Sequence, residues 1–187
     1  MNKKGKLVVM SAPSGAGKST ICEQILGDFR NLKFSVSYTT RKVRGDEKDG
    51  VDYFFISKDE FIEKIDGGFW IEWAKVHDNY YGTSIDYIDG ELVKGFNILL
   101  DIDVAGAIQI LDKFPESVTI FIMPPYLAEL RERLTKRGTD SIETIEKRIK
   151  NADAEMAKKD LYKYIVVNDD LSSAVFETKS ILEKELV

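Results

Sequence analysis

Residues Ser11–Thr20, reading SAPSGAGKST, carry the densest chemistry in the chain. Gly15 and Gly17 let the backbone curl so that successive N–H groups face one anionic centre. A helix opening near Lys18 adds the positive end of its dipole. The Lys18 ammonium suits the β- and γ-phosphates of a nucleoside triphosphate, and the Ser19 hydroxyl suits Mg2+. Ala12, Pro13, Ser14, Ala16 and Thr20 complete the loop as candidate contacts to ATP or GTP. Ala12 stands where this phosphate-loop spacing usually has its first glycine, which the backbone tolerates if φ stays negative. The relaxed pattern arises by accident in roughly one chain in a hundred of this size. Here it also follows a buried strand directly and opens a helix, which a merely Gly-rich turn would not do.

A phosphate loop implies a nucleotide without naming a reaction. The next segment holds groups that a second, smaller phosphorylated substrate would need. Arg41 and Arg44 are fork-shaped cations close in sequence, suited to a bidentate grip on phosphate. Tyr53 and Tyr81 each offer a phenolic donor. Glu72 lies in the apolar, strand-like stretch Phe69–Val76, where a carboxylate faces solvent or needs a partner. Guanine is such a partner, because its N1–H and 2-amino group are adjacent donors. Adenine has an unprotonated N1 and no 2-amino group, and would leave that carboxylate unpaired. Asp101 ends a buried strand, the usual place for a carboxylate that assists Mg2+ directly or through water. Taken singly, the arginines are most often solvated surface charges and the tyrosines core residues.

The elements that must position these groups are legible from periodicity. Leu7–Met10 is a short apolar strand, and Lys18 to about Phe29 is helical. Phe34–Tyr38 (FSVSY), Tyr53–Ile56 and Phe69–Val76 read as strands. Ser57–Lys58–Asp59–Glu60 makes a capping box, and Gly67–Gly68 ends that helix. Asn97–Asp101, Val118–Met123 and Tyr164–Val167 are buried strands. They alternate with helices near Ala105–Lys113, Leu127–Lys136, Ile142–Lys158 and Ala174–Leu186. Ile142, Ile145, Ile149, Ala152 and Met156 share one helical stripe. This rhythm predicts an α/β fold with a mainly parallel sheet, interrupted from about Phe34 to Thr83 by a largely antiparallel insert.

Composition excludes several classes. The 187 residues are 43% hydrophobic and 32% charged, an ordinary globular balance that suits one domain. Net charge is −5, which argues against a dedicated nucleic-acid binder. Apolar runs are too short to span a membrane, and no secretory segment follows the basic N-terminus, so a cytoplasmic location is expected. The lone Cys22 sits among Ile21, Ile25 and Leu26, where a packing role is expected. His77 has no partners at metal-ligand spacing.

In order along the chain, SAPSGAGKST, SVSYTTRKVRGDEKDGVDYFF, FWIEWAKVHDNYYGT, LLDIDVAGA and VVNDDL closely resemble the guanylate kinase family. The resemblance runs from about Lys6 to Asp170. It implies a P-loop NTPase-type, mainly parallel five-stranded sheet flanked by helices, with a mixed or antiparallel GMP-binding insert and a helical lid. The implied division is a core of 1–35, 84–125 and 149–187, a GMP-binding part of 36–83 and a lid of 126–148. It implies that Arg41, Arg44, Tyr53 and Tyr81 hold the GMP phosphate. Glu72, Ser37 and Asp103 go to the base, with Thr83 nearby. Arg133, Arg137 and Arg148 are implied as lid residues, with Asn168 and Asp169 on the adenine side. Lys18, Arg41, Arg44, Arg137 and Arg148 are the implied catalytic groups, and Ser19 and Asp101 the metal-side ones. How Asp101 and Asp103 divide their work stays open. Lys42–Val43 replaces prolines common in the family, so a looser loop is expected between the two arginines.

The expected reaction is in-line transfer from Mg-ATP to GMP, with both bound at once. Closure of the insert and the lid onto the core is expected to complete the site. The attacking phosphate oxygen is already largely ionised at neutral pH, since its second pKa is about 6, so no side-chain base is needed. Acceptance of dGMP stays open, because no clear 2′-hydroxyl reader is visible. No protein partner is implied. The rivals are a non-catalytic, guanylate-kinase-like phosphopeptide-binding module and a kinase for another small phosphorylated acceptor.

Overall fold

The computed structural model describes residues 3–76, 78–138 and 140–186. His77, and with it the reading that it binds no metal, lies outside the described residues. In chain order the elements are β1 (Leu7–Ser11), α1 (Lys18–Leu26), β2 (Leu32–Phe34), β3 (Tyr38–Thr39) and β4 (Phe54–Phe55). Then come α2 (Lys58–Asp66), β5 (Trp70–Val76), β6 (Asn79–Ser84), α3 (Ile85–Val93), β7 (Asn97–Asp101) and α4 (Val104–Lys113). The chain ends with β8 (Val118–Met123), α5 (Leu127–Arg137), α6 (Ile142–Met156), β9 (Tyr164–Val167) and α7 (Leu171–Glu185).

Two sheets result. One is five-stranded in the order β2-β7-β1-β8-β9, and the other is four-stranded in the order β4-β3-β6-β5. In the first, β2–β7, β1–β8 and β8–β9 all pair parallel. Strands of a parallel sheet are covered on both faces and read as unbroken apolar runs. Accordingly all of β1 is buried, as is β8 from Val118 to Ile122. The second sheet is mixed: β3 pairs parallel with β4 and antiparallel with β6, which pairs antiparallel with β5.

The chain forms two compact units. One comprises the residues up to Leu7 with Asn31–Leu100 and Ala105–Ser117. The other comprises Val8–Arg30, Asp101–Val104 and the chain from Val118 onward. In the first unit, α2 starts where expected, with Ser57 Oγ accepting the Glu60 N–H at 3.1 Å, a cap that contributes about 1 kcal/mol. Its buried Phe61 stacks on Trp70 and Tyr80 at centroid distances of 4.3 and 5.3 Å. In the second unit, α5 and α6 share a core of Leu130, Leu134, Ile145 and Ala152, with Leu127 and Ile149 packed against it.

Several elements differ from the sequence reading. FSVSY is not one strand: Phe34 ends β2 in the parallel sheet, while Tyr38 begins β3 in the mixed one. Alternation alone cannot show that a chain changes sheets after three residues. The first helix stops at Leu26 because Gly27 caps it. The last helix begins at Leu171, since Asp170 accepts the Ser173 N–H at 2.8 Å. Ile142 is 75% exposed and leaves the expected stripe, because the α5–α6 packing begins one turn later at Ile145. Helix α3 was not expected. Its interior Gly90 weakens the helical signal, yet Ile88, Glu91 and Leu92 are buried.

Candidate active site

The phosphate loop occupies the turn between β1 and α1. Gly15 and Gly17 both take positive φ, +96° and +92°, which side chains rarely adopt. Gly17 is also the N-cap of α1, which therefore opens without a side-chain cap. Its first N–H groups are thus not claimed by a capping side chain, as an anion cradle requires. The loop is braced from within by Ala16 N–H donating to the Pro13 carbonyl at 3.0 Å. It is braced from β9 by Asn168, whose buried amide donates to the Ala16 carbonyl at 2.7 Å. Ala12, Pro13 and Ala16 are buried, whereas Ser14 and Thr20 are exposed.

Lys18 and Ser19 meet Asp101 in the same unit. The Lys18 ammonium lies 2.5 Å from Asp101 Oδ1 and donates to the Ile102 carbonyl at 2.8 Å. Ser19 Oγ donates to Asp101 Oδ2 at 3.3 Å. A hydroxyl and a carboxylate side by side are hard oxygen donors. That set suits Mg2+, which takes one or two protein oxygens and completes its shell with water and phosphate. Asp103, two residues on, has its backbone carbonyl 3.5 Å from Ser11 Oγ. Nearby Glu155 was not anticipated: burial and then the Asp103 charge push its carboxyl above the ordinary range. Beneath the loop, Cys22 is buried with its Sγ 3.8 Å from Met10 Sδ, the packing role expected of it.

In the first unit, period-two alternation sorts the mixed sheet into two faces. Tyr38, Trp70, Trp73 and Tyr80 point to one face with Phe61, where a Cβ on Gly82 would come within 2.9 Å of the Phe61 ring. A cavity of about 260 Å³ on that side is lined by Tyr38, Phe54 and Tyr87 among others. The opposite face carries Thr39, Tyr81, Thr83 and Glu72. Between Trp70 and Glu72 the register slips by one residue. This bulge lets Glu72 stand directly opposite Thr83. Both side chains are buried, and Thr83 Oγ1 donates to Glu72 Oε1 at 2.6 Å.

Three of the four predicted phosphate-gripping residues gather at one end of that sheet. The Arg41 guanidinium lies 5.2 Å from the Tyr53 ring centroid, and the Tyr53 and Tyr81 rings are 6.0 Å apart. Arg41 is only 8% exposed. Its charge is met by Glu47, to which the sequence reading assigned no role. Arg41 Nη1 and Nη2 donate to the two Glu47 oxygens at 2.9 and 2.8 Å. Glu47 and the Tyr81 hydroxyl hold Arg41 more firmly protonated than usual, and Arg41 in turn lowers the Glu47 carboxyl. Arg44 has an exposed side chain, but its backbone N–H donates to Glu47 at 2.9 Å. The loop expected to be looser is therefore tied at three points. A carboxylate six residues after Arg41 was the available signal. Ser37 is half-buried, and its carbonyl accepts the Phe54 N–H at 2.9 Å.

The remaining arginines are tied within the second unit. Arg133 donates from Nε to Glu129 and from Nη2 to the Asn168 carbonyl, both at 2.9 Å. Arg148 pairs with Asp140 at 2.9 Å. Arg131, assigned no role, pairs with Glu146 in solvent. Arg137 ends α5, but its side chain lies outside the described residues. Asp169 is exposed at the end of β9. No helix among the described residues is long and apolar enough to cross a membrane.

Residues 4–185 match the family model described as guanylate kinase. A guanylate kinase of Caldanaerobacter subterraneus subsp. tengcongensis is 46% identical over 185 residues, covering 99% of this chain and 90% of its own. One from Desulfotalea psychrophila is 49% identical over 183 residues, covering 97% and 90%. Among solved structures, the crystal structure of guanylate kinase from Anaplasma phagocytophilum superposes with a TM-score of 0.82 at 34% identity. It covers 100% of this chain and 88% of that one.

Proposed function

We propose, from the premise that this chain belongs to the guanylate kinase family, that it transfers the γ-phosphoryl group of ATP to GMP, giving ADP and GDP. The observation that carries the choice of acceptor is the buried Glu72 carboxylate, held by Thr83 on the sheet face that also carries Tyr81. A ligand with two adjacent donors would extend the hydrogen bonding that Thr83 begins at this buried carboxylate. Guanine brings two on adjacent atoms, and adenine does not. Ser37 and Asp103 go to the same base in this reading, and Arg41, Arg44, Tyr53 and Tyr81 to the phosphate of GMP.

On the donor side, residues Ala12–Thr20 wrap the ATP phosphates with backbone N–H groups. Lys18 exchanges part of its pairing with Asp101 for the β- and γ-phosphates. Ser19 and Asp101 are the residues that would hold Mg2+, which would offset the charge of the phosphates. Arg133, Arg137 and Arg148 neutralise the transferring group, while Asn168 and Asp169 border the adenine. The GMP phosphate attacks in line with an oxygen already ionised at neutral pH, so the chain supplies position and charge and no base. Such an enzyme works in purine nucleotide metabolism and belongs in the cytoplasm, where both nucleotides are available. Named relatives at this identity do not favour the phosphopeptide-binding alternative.

The test is ADP release from Mg-ATP with GMP, AMP, CMP or UMP as acceptor, for the wild type and Glu72→Ala. Turnover with GMP alone, lost or relaxed in the variant, is the expected result. ATP binding with no accepted nucleotide would overturn the reading.

A further inference from the structure

Arg41 is a nearly buried cation with five N–H donors, and the direction of its fork decides what it can bind. Glu47 takes the Nη1–Nη2 end of that fork in a two-point pair, and the Lys42 carbonyl takes a further Nη1 hydrogen at 2.8 Å. The Nε–Nη2 edge is the other two-donor face of the same guanidinium, suited to a second oxyanion. The Glu47 oxygen that accepts from Nη1 also accepts the Arg44 N–H, and the Glu47 N–H returns to the Arg44 carbonyl at 3.2 Å. One carboxylate thus fixes the side chain of the first arginine and the backbone of the second. Lys42 and Val43, between them, are exposed and give no packing that could do so.

We infer that Glu47 is a positioning residue of the acceptor-phosphate grip: it orients Arg41 edge-on to the phosphate and locks the spacing between Arg41 and Arg44. The inference rests on the reading that these arginines bind the phosphate of GMP. Without the Glu47 charge, the buried guanidinium turns to whatever acceptor it can reach, and its second edge is no longer aimed. The opposing expectation is electrostatic. Glu47 also repels a phosphate dianion, so if simple charge governed the site, its removal would tighten GMP binding.

Steady-state kinetics of the wild type, Glu47→Gln, Arg41→Lys and the double variant separate these outcomes, with GMP and ATP each varied against saturating partner. Glu47→Gln should raise the KM for GMP about tenfold or more, the scale of one lost charge-assisted hydrogen bond. Its KM for ATP should stay within about twofold, which confines the effect to the acceptor side, whereas a loss of folded protein would lower kcat and leave both KM values unchanged. In the Arg41→Lys background, which removes the fork, Glu47→Gln should add little, because the two residues act as a unit. A KM for GMP that is unchanged or lower in Glu47→Gln overturns the inference, as does full additivity in the double variant. If Arg41→Lys itself leaves the KM for GMP unchanged, the assignment of Arg41 to the phosphate fails instead.

Discussion

Glu72 and Thr83 face one another across β5 and β6, both buried, with the hydroxyl 2.6 Å from the carboxylate. The pair exists because the sheet slips by one residue between Trp70 and Glu72. Thr83→Val keeps the shape and removes the donor. We expect kcat/KM with GMP to fall about tenfold, while Glu72→Ala, which removes the charge proposed to read the base, costs about a hundredfold. Acceptor-specificity assays check both. Equal turnover of GMP by Glu72→Ala and the wild type would remove the carboxylate from the base pocket.

Lys18 is held by Asp101 and the Ile102 carbonyl, and in the proposed reading it serves the ATP phosphates. Lys18→Met should lower kcat by about a hundredfold or more, the usual cost of removing an electrostatic contact to the transferring group. Its thermal midpoint should move little, since the pair it breaks is partly solvated. Single-turnover assays with a parallel unfolding curve distinguish loss of chemistry from loss of fold.

Gly17 combines a φ of +92° with a neighbour that leaves no room. An added Cβ would lie 2.4 Å from Asn168 Nδ2, the nitrogen that braces the loop. Gly17→Ala should therefore cost about 1–3 kcal/mol of stability from backbone strain and raise the KM for ATP. Asn168→Ala makes room but removes the brace. Combining the two should recover stability more than ATP binding, which denaturant titration and ATP kinetics would measure.

Cys22 is pushed up to about 12 from 9.0, chiefly by burial and then by the Asp101 charge. The folded thiol stays neutral while an unfolded one ionises near 9. Unfolding thus releases a proton above pH 9, and this group's contribution to stability falls as pH rises from there toward 12. At pH 8 the native protein should resist alkylation by iodoacetamide and react fully once denatured. Mass spectrometry after a timed pulse checks this, and rapid labelling of the native protein would contradict the burial.

Most of the parallel sheet and its helices were legible in the sequence, because buried strands write unbroken apolar runs and helices write a stripe and caps. The run Val118–Met123 is an example of the first, and the Ser57–Glu60 cap was as plain on the helix beside the mixed sheet. The mixed sheet was less legible. FSVSY alternates like one strand, and nothing local marks Ser35 to Ser37 as the place where the chain leaves one sheet for another. Glu47 carried no assigned role for a related reason. On an exposed, charge-rich loop a carboxylate looks solvated until the buried arginine it serves is located.

The sequence by itself determined the chemistry available to this protein: the glycines and Lys18 of a phosphate loop, forked cations for an acceptor, and a carboxylate in an apolar strand. Residue type and short-range spacing suffice there, because turn geometry and charge are local properties. Only the tertiary structure decided which partners those groups meet. The bulge that aims Glu72 at Thr83, the Asn168 amide under the phosphate loop and the Glu47 grip on Arg41 each depend on chain positions that have to be brought together. Such pairings follow from register and packing, which the order of residues constrains only through the fold as a whole.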